Sequence, residues 1–181
     1  MRPPKAPARS RTDLWRRIVI YGVLVLVLAT AQCSFFASLH VLPATPDLML
    51  SLVLAILLLD EPRSALAVAI GGGFLVDALG ANGTAFSPIF YLTVVLALAV
   101  PASKMLSRFL SFCVLLLPSL VLRALYTAVC LWVHRGALPT LSGLLQILLP
   151  ELLLTALLAL LIYPLVRLCR RPIGSRKSFR F

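Results

Sequence analysis

Between Ile18 and Leu39 the chain runs for more than twenty residues without one Asp, Glu, Lys or Arg. A helix needs about 20 mostly apolar residues to cross ~30 Å of hydrocarbon. Inside lipid every backbone N–H and C=O must find its partner within the protein, which leaves only helices and closed barrels as spanning structures. The apolar residues here come in continuous blocks rather than in alternation, so helices are expected. Further blocks follow along all 181 residues, and 61% of the chain is hydrophobic against 13% charged, with a mean hydropathy of +1.02. Soluble domains hold roughly 45–50% apolar residues. Lipid is therefore the solvent for this fold, and the expected class is an all-α integral membrane protein.

Six spans can be drawn. The first is Ile18 to Leu39. The second, Leu48 to Leu59, is short but well started: Thr45 is placed to cap it, Pro46 to open it, and Asp47 to meet the positive end of the helix dipole. Pro62 stops it after Asp60 and Glu61; even from Pro46 to Glu61 it reaches only about 24 Å, so shielding by neighbours or local thinning is expected. Ser64 to Leu79, Phe86 to Ala102, Phe109 to Val133 and Thr140 to Leu168 supply the rest, with GANGT (80–84) as a turn and Pro118, Pro150 and Pro164 as expected kinks. The organisation is a basic tail (1–17), a transmembrane domain (18–168) and a second basic tail (169–181).

The net charge of +11 could suggest nucleic acid, but its placement argues for a membrane. Twelve of the seventeen basic residues lie in the two tails or at their membrane boundaries, as Arg2, Lys5, Arg9, Arg11, Arg16, Arg17 and Arg167, Arg170, Arg171, Arg176, Lys177, Arg180. Basic residues beside spans stay in the cytoplasm and attract anionic lipid. Six spans with both termini cytoplasmic also put Arg63, Lys104 and Arg108 inside and leave Arg135 outside. Anionic lipids are thus expected at the tails, and nucleic acid is not. A basic start, an apolar run to Leu28 and Ala29-Thr30-Ala31 resemble a signal peptide, yet apolar residues continue through Val41, so an uncleaved helix is expected.

No catalytic chemistry is legible. Cys33, Cys113, Cys130 and Cys169 show no CxxC or metal-ligand spacing and read as small hydrophobes. His40 and His134 are isolated at outer boundaries, without an HExxH pattern or a neighbouring nucleophile. No enzyme, cofactor or metal site is expected.

Three charges fall inside spans: Asp77, Arg123 and Glu151. Each costs about 2.5–3.5 kcal/mol at a helix centre on insertion scales, so each should face the protein interior and seek a partner. At 1.5 Å per residue, Asp77 stands roughly 20 Å above Ser64, Arg123 roughly 21 Å above Phe109 and Glu151 roughly 24 Å above Arg167. Arg123 is accordingly expected to pair with Asp77, Glu151 or both, the alternative being three charges lining a wet outer vestibule. Ala65, Ala69, Gly73 and Asp77 recur at i+4 and form a ridge of small residues, which Gly71 and Gly72 widen. Small residues let helices approach closely in lipid, so the third span is expected to be central, packed by a helix of this chain or of a partner.

The stretch TPDLMLSLVLAILLLDEPRSALAVAIGGGFLVDALGANGTAF (45–86) resembles the rod-shape-determining MreD family of bacteria. Pro46-Asp47 opens a short second helix, Pro62-Arg63 makes a Pro-basic corner, and Gly71 to Gly73 with Asp77 form a Gly-rich third helix ending in aspartate, followed by Gly80 and Gly83. Leu149-Pro150 in a long last helix and the basic tail fit as well. The usual serine after the aspartate is replaced by Ala81-Asn82, and Arg123 maps onto no family motif.

The resemblance implies a non-catalytic scaffold subunit of the cell-elongation complex in the bacterial inner membrane. It implies binding to an MreC-like protein and, through it, to an MreB-like actin filament and to RodA-like and penicillin-binding-protein wall synthases. Asp47, Pro62 and Arg63 are then candidate partner contacts. The family's architecture is similar to that of the S-components of energy-coupling-factor transporters, so the alternative is an S-component-like subunit that binds a small ligand.

Overall fold

The computed structural model describes residues 11–36, 38, 45–80, 86–105, 109–135 and 141–169, with side chains for all of these except 11–14, 134, 135, 141–144 and 147. The remaining residues of both basic tails, His40, the turn positions 81–85 and Arg108 lie outside the described residues, as does the side chain of His134. Every described element is helical: α1 (Arg11–Thr30), continued by a π-helical stretch (Ala31–Phe36), α2 (Leu48–Leu59), α3 (Pro62–Ala78), α4 (Ser87–Lys104), α5 (Phe109–Arg135) and α6 (Leu141–Cys169).

Local chemistry sets the boundaries. The α2 helix begins two residues after Pro46, the expected opening residue, because Asp47 rather than Thr45 caps it by accepting from the Leu50 N–H. It closes with the Asp60 N–H on the Ile56 carbonyl. Pro62 then opens α3, two residues before the expected start, where its missing N–H costs no helical bond. The α3 helix closes at its C-cap Leu79 and is followed by Gly80, whose φ of 67° is the left-handed turn that glycine adopts without strain. Pro118, Pro150 and Pro164 are all accommodated inside helices.

Among the described residues, four segments are long and apolar enough to cross a membrane: Trp15–Phe36, Ser87–Lys104, Phe109–Val133 and Leu148–Cys169. The other two helices fall short on length, and α2 shows how the fold accommodates this. Its twelve residues give about 18 Å, and all twelve are buried. It touches each of the other five helices. A helix wrapped in protein need not match the thickness of lipid. The long helices carry the outward face instead, for example Leu110, Leu117, Val121 and Leu125 along α5 and Leu153, Leu157 and Leu161 along α6.

A buried polar cluster at the head of the central helix

The first N–H groups of a helix have no partner within it, and at the start of α2 they lie where water is excluded. Other parts of the chain supply each of them. The Asp47 N–H donates to Thr155 Oγ1 at 2.9 Å, the Leu48 and Met49 N–H groups donate to Gln32 Oε1 at 3.0 and 3.2 Å, and the Leu50 N–H donates to Asp47 Oδ1 at 2.9 Å. Gln32 reaches them from the π-helical stretch after α1. Such a stretch adds a residue to the turn and re-aims the side chains around it.

The same carboxylate is shared further. Tyr91 of α4 donates its hydroxyl to Asp47 Oδ1 at 2.8 Å, and Arg123 of α5 places Nη1 3.0 Å from Asp47 Oδ2. That second contact is an ion pair without hydrogen-bond alignment. Arg123 Nε donates to Glu151 Oε1 of α6 at 2.8 Å. Its guanidinium carbon also lies 5.5 Å from the Phe90 ring centre and 5.7 Å from that of Tyr126, two rings stacked at 4.6 Å. These are cation–π distances. Asp47, Arg123 and Glu151 are 0%, 4% and 5% exposed, so one cation sits between two carboxylates and under two aromatic faces, closed from the surroundings. A hydrophilic ligand would find these charges already occupied by one another. Gln32 Nε2 is the one buried side-chain donor here that reaches no acceptor.

Of the three intramembrane charges expected to meet, the structure joins Arg123 with Glu151 and leaves Asp77 elsewhere. Asp77 accepts from the backbone N–H groups of Phe86 at 3.0 Å and Ser87 at 3.1 Å. The reason is local: Phe86 stands at the N-cap of α4 with φ of 79° and has no side-chain oxygen to cap with. Asp77 supplies the missing acceptor and sets its charge at the positive end of the α4 dipole. The second carboxylate on Arg123 is Asp47, read from the sequence as a dipole residue and a partner contact. That partner contact is corrected here, since Asp47 is fully buried and has no surface to offer.

The small residues divide by face. Ala65 and Ala69 are fully buried, and Gly73 lies against the start of α4, where an added Cβ would stand 2.5 Å from Pro88 Cα and 2.6 Å from its nitrogen. The helix on that ridge therefore belongs to this chain: α3 packs more extensively on α4 than on any other element. A Cβ at Gly72 would collide with the flexible end of Met49. Gly71 is exposed, and a Cβ there would meet nothing within 4 Å.

Pro62 and Arg63 are exposed at the corner before α3. Beside them Asp60 accepts from Arg17 Nη1 at 2.7 Å and from the Tyr21 hydroxyl at 2.8 Å, which ties α1 to the corner. Sequence reasoning passed over Gln32, Tyr91 and Thr155. The signal for Gln32 was a lone amide in an uncharged span; a hydroxyl of Tyr or Thr in an apolar helix gives none. Comparison with protein-family models, with curated proteins and with solved structures finds no match to this chain.

Proposed function

We propose that this chain is a non-catalytic scaffold in the bacterial inner membrane, a subunit of the cell-elongation complex that resembles MreD and binds an MreC-like membrane protein. The observation that carries the reading is that Asp47, the Pro62-Arg63 corner, Gly73 and Asp77 of the resembling stretch lie in one continuous unit with distinct structural places. Asp47 heads the buried central helix, Pro62-Arg63 forms an exposed corner, and Asp77 caps α4 across the glycine contact. In this reading the chain crosses the membrane six times with both ends in the cytoplasm, α2 and α3 crossing under the shelter of the four longer helices. The corner at Pro62 and Arg63 then meets the cytoplasmic side of the complex, through which the actin-like filament and the wall synthases are reached.

The S-component-like alternative needs polar groups free to hold a small hydrophilic ligand. The charges in the bundle are instead spent on one another, which favours the scaffold. Depleting the protein in a rod-shaped host is expected to round the cells, and purification in mild detergent to recover the MreC-like partner. Unchanged rods with normal wall insertion would overturn the function; uptake loss without a shape defect would support the alternative.

A further inference from the structure

A groove of about 620 Å³ runs between α1 and α3, and its two ends differ in chemistry. Ile18, Val25, Ala67 and Val68 wall it, and Gly22 and Gly71 leave open space where side chains would otherwise fill it. At one end stand Arg17, Glu61, Arg63 and Ser64. Arg17 is committed to Asp60, whereas Arg63 has no ion-pair partner among the described residues and lies exposed at the first turn of α3.

Length selects the occupant. Along α1 the groove extends from Arg17 to Val25, about 12 Å, and along α3 from Glu61 to Gly72, about 16 Å at 1.5 Å per residue. One leaflet of hydrocarbon is about 15 Å deep, half of the ~30 Å core. A partner's spanning helix needs the whole core; an acyl chain needs one leaflet, with its phosphate at the polar end. We infer that this groove binds one glycerophospholipid, an acyl chain lying over Gly22 and Gly71 and the phosphate held by Arg63 with the Ser64 hydroxyl. The inference stands apart from the proposed scaffold role, since it needs only the membrane setting.

The two glycines make a clean test, because a Cβ at either meets nothing within 4 Å and a larger side chain fills the groove without disturbing the bundle. The full-length protein is reconstituted in nanodiscs of dioleoylphosphatidylglycerol, of dioleoylphosphatidylethanolamine, or of a neutral matrix doped with dioleoylglycerol, and retained lipid is read by native mass spectrometry after detergent exchange. One retained phospholipid per chain is expected from both phospholipids and none from dioleoylglycerol. Gly22→Leu and Gly71→Leu should each lower retention about tenfold or more, the loss of a few buried methylenes, with thermal midpoints no lower than that of the parent. Arg63→Gln should lower it while leaving the midpoint alone. Equal retention in both glycine variants, equal retention of dioleoylglycerol, or loss of a co-purifying protein in place of lipid would each overturn the proposal.

Discussion

Arg123 ties several helices of the bundle together through one side chain. It touches Asp47 on the lead-in to α2, Glu151 on α6, Phe90 on α4 and Tyr126 on its own helix. Removing one partner of a buried ion pair leaves the other charge uncompensated, at about 3–5 kcal/mol, whereas replacing all members by neutral groups of similar shape is often close to neutral. Arg123→Met is therefore expected to destabilise the protein by roughly that amount, far more than Leu125→Ala on the exposed face of α5. The combination Asp47→Asn, Arg123→Met and Glu151→Gln should recover much of the loss. Steric-trapping or denaturant unfolding in lipid micelles measures all three, and an additive triple variant would mean that the charges do not act together. Depth arithmetic along the chain put Arg123 and Glu151 within reach of each other, and they meet. It offered Asp77 as the other carboxylate and did not weigh Asp47, because that choice depends on which carboxylate a neighbouring helix start consumes. Asp77→Ala should cost about 0.5–2 kcal/mol as a lost cap, while Asp77→Asn, which keeps an acceptor for the Phe86 and Ser87 N–H groups, should cost less in the same assay.

Among the elements, α3 shows how one composition serves opposite purposes on two faces. Its glycines looked alike in sequence, since glycine carries no mark of the face it will occupy. Ala65, Ala69 and Gly73, joined by the i+4 register, are all buried, and Gly73 meets the start of α4. What the register could not supply was the outward direction of Gly71 or the identity of the packing helix, which depend on how α3 is rotated within the bundle. The consequence is a pair of opposite effects from the same substitution. Gly73→Ala drives a methyl into the Pro88 backbone, which cannot rotate away as a side chain can, and overpacking of this kind typically costs about 1–3 kcal/mol. Gly71→Ala meets open space and should raise stability by up to about 1 kcal/mol through helix propensity alone. Gly72→Ala should fall between them, because its obstacle is the mobile end of Met49. Thermal midpoints of the three variants in one detergent give the order, and Gly73→Ala as stable as Gly71→Ala would remove the close α3–α4 approach.

For the molecule as a whole, a helix too short to span sits at the centre and is held from every side. The apolar blocks made the helices legible, but not that the shortest of them would be the hub; burial of α2 depends on packing by all five other helices, three of which lie far along the chain. The same arrangement bears on topology. With α2 and α3 both crossing, Glu61 and Lys104 lie on one side of the membrane, and Gly80 on the other. If α2 and α3 instead formed a re-entrant hairpin, Gly80 would still stand on the side where α2 starts, but the corner from Glu61 to Arg63 would not reach the opposite face. Lys and Arg counting favours the first arrangement, since only there does Arg63 join Lys104 and both basic ends on the cytoplasmic face. Single cysteines at Glu61, Gly80 and Lys104 in a background lacking Cys33, Cys113, Cys130 and Cys169 distinguish the two. A membrane-impermeant maleimide applied to intact spheroplasts should label Gly80→Cys alone, and Glu61→Cys and Lys104→Cys only after permeabilisation. Labelling of Glu61→Cys in intact spheroplasts would place the Pro62-Arg63 corner outside, away from any cytoplasmic partner, and would end the six-span arrangement together with the partner contact assigned to that corner.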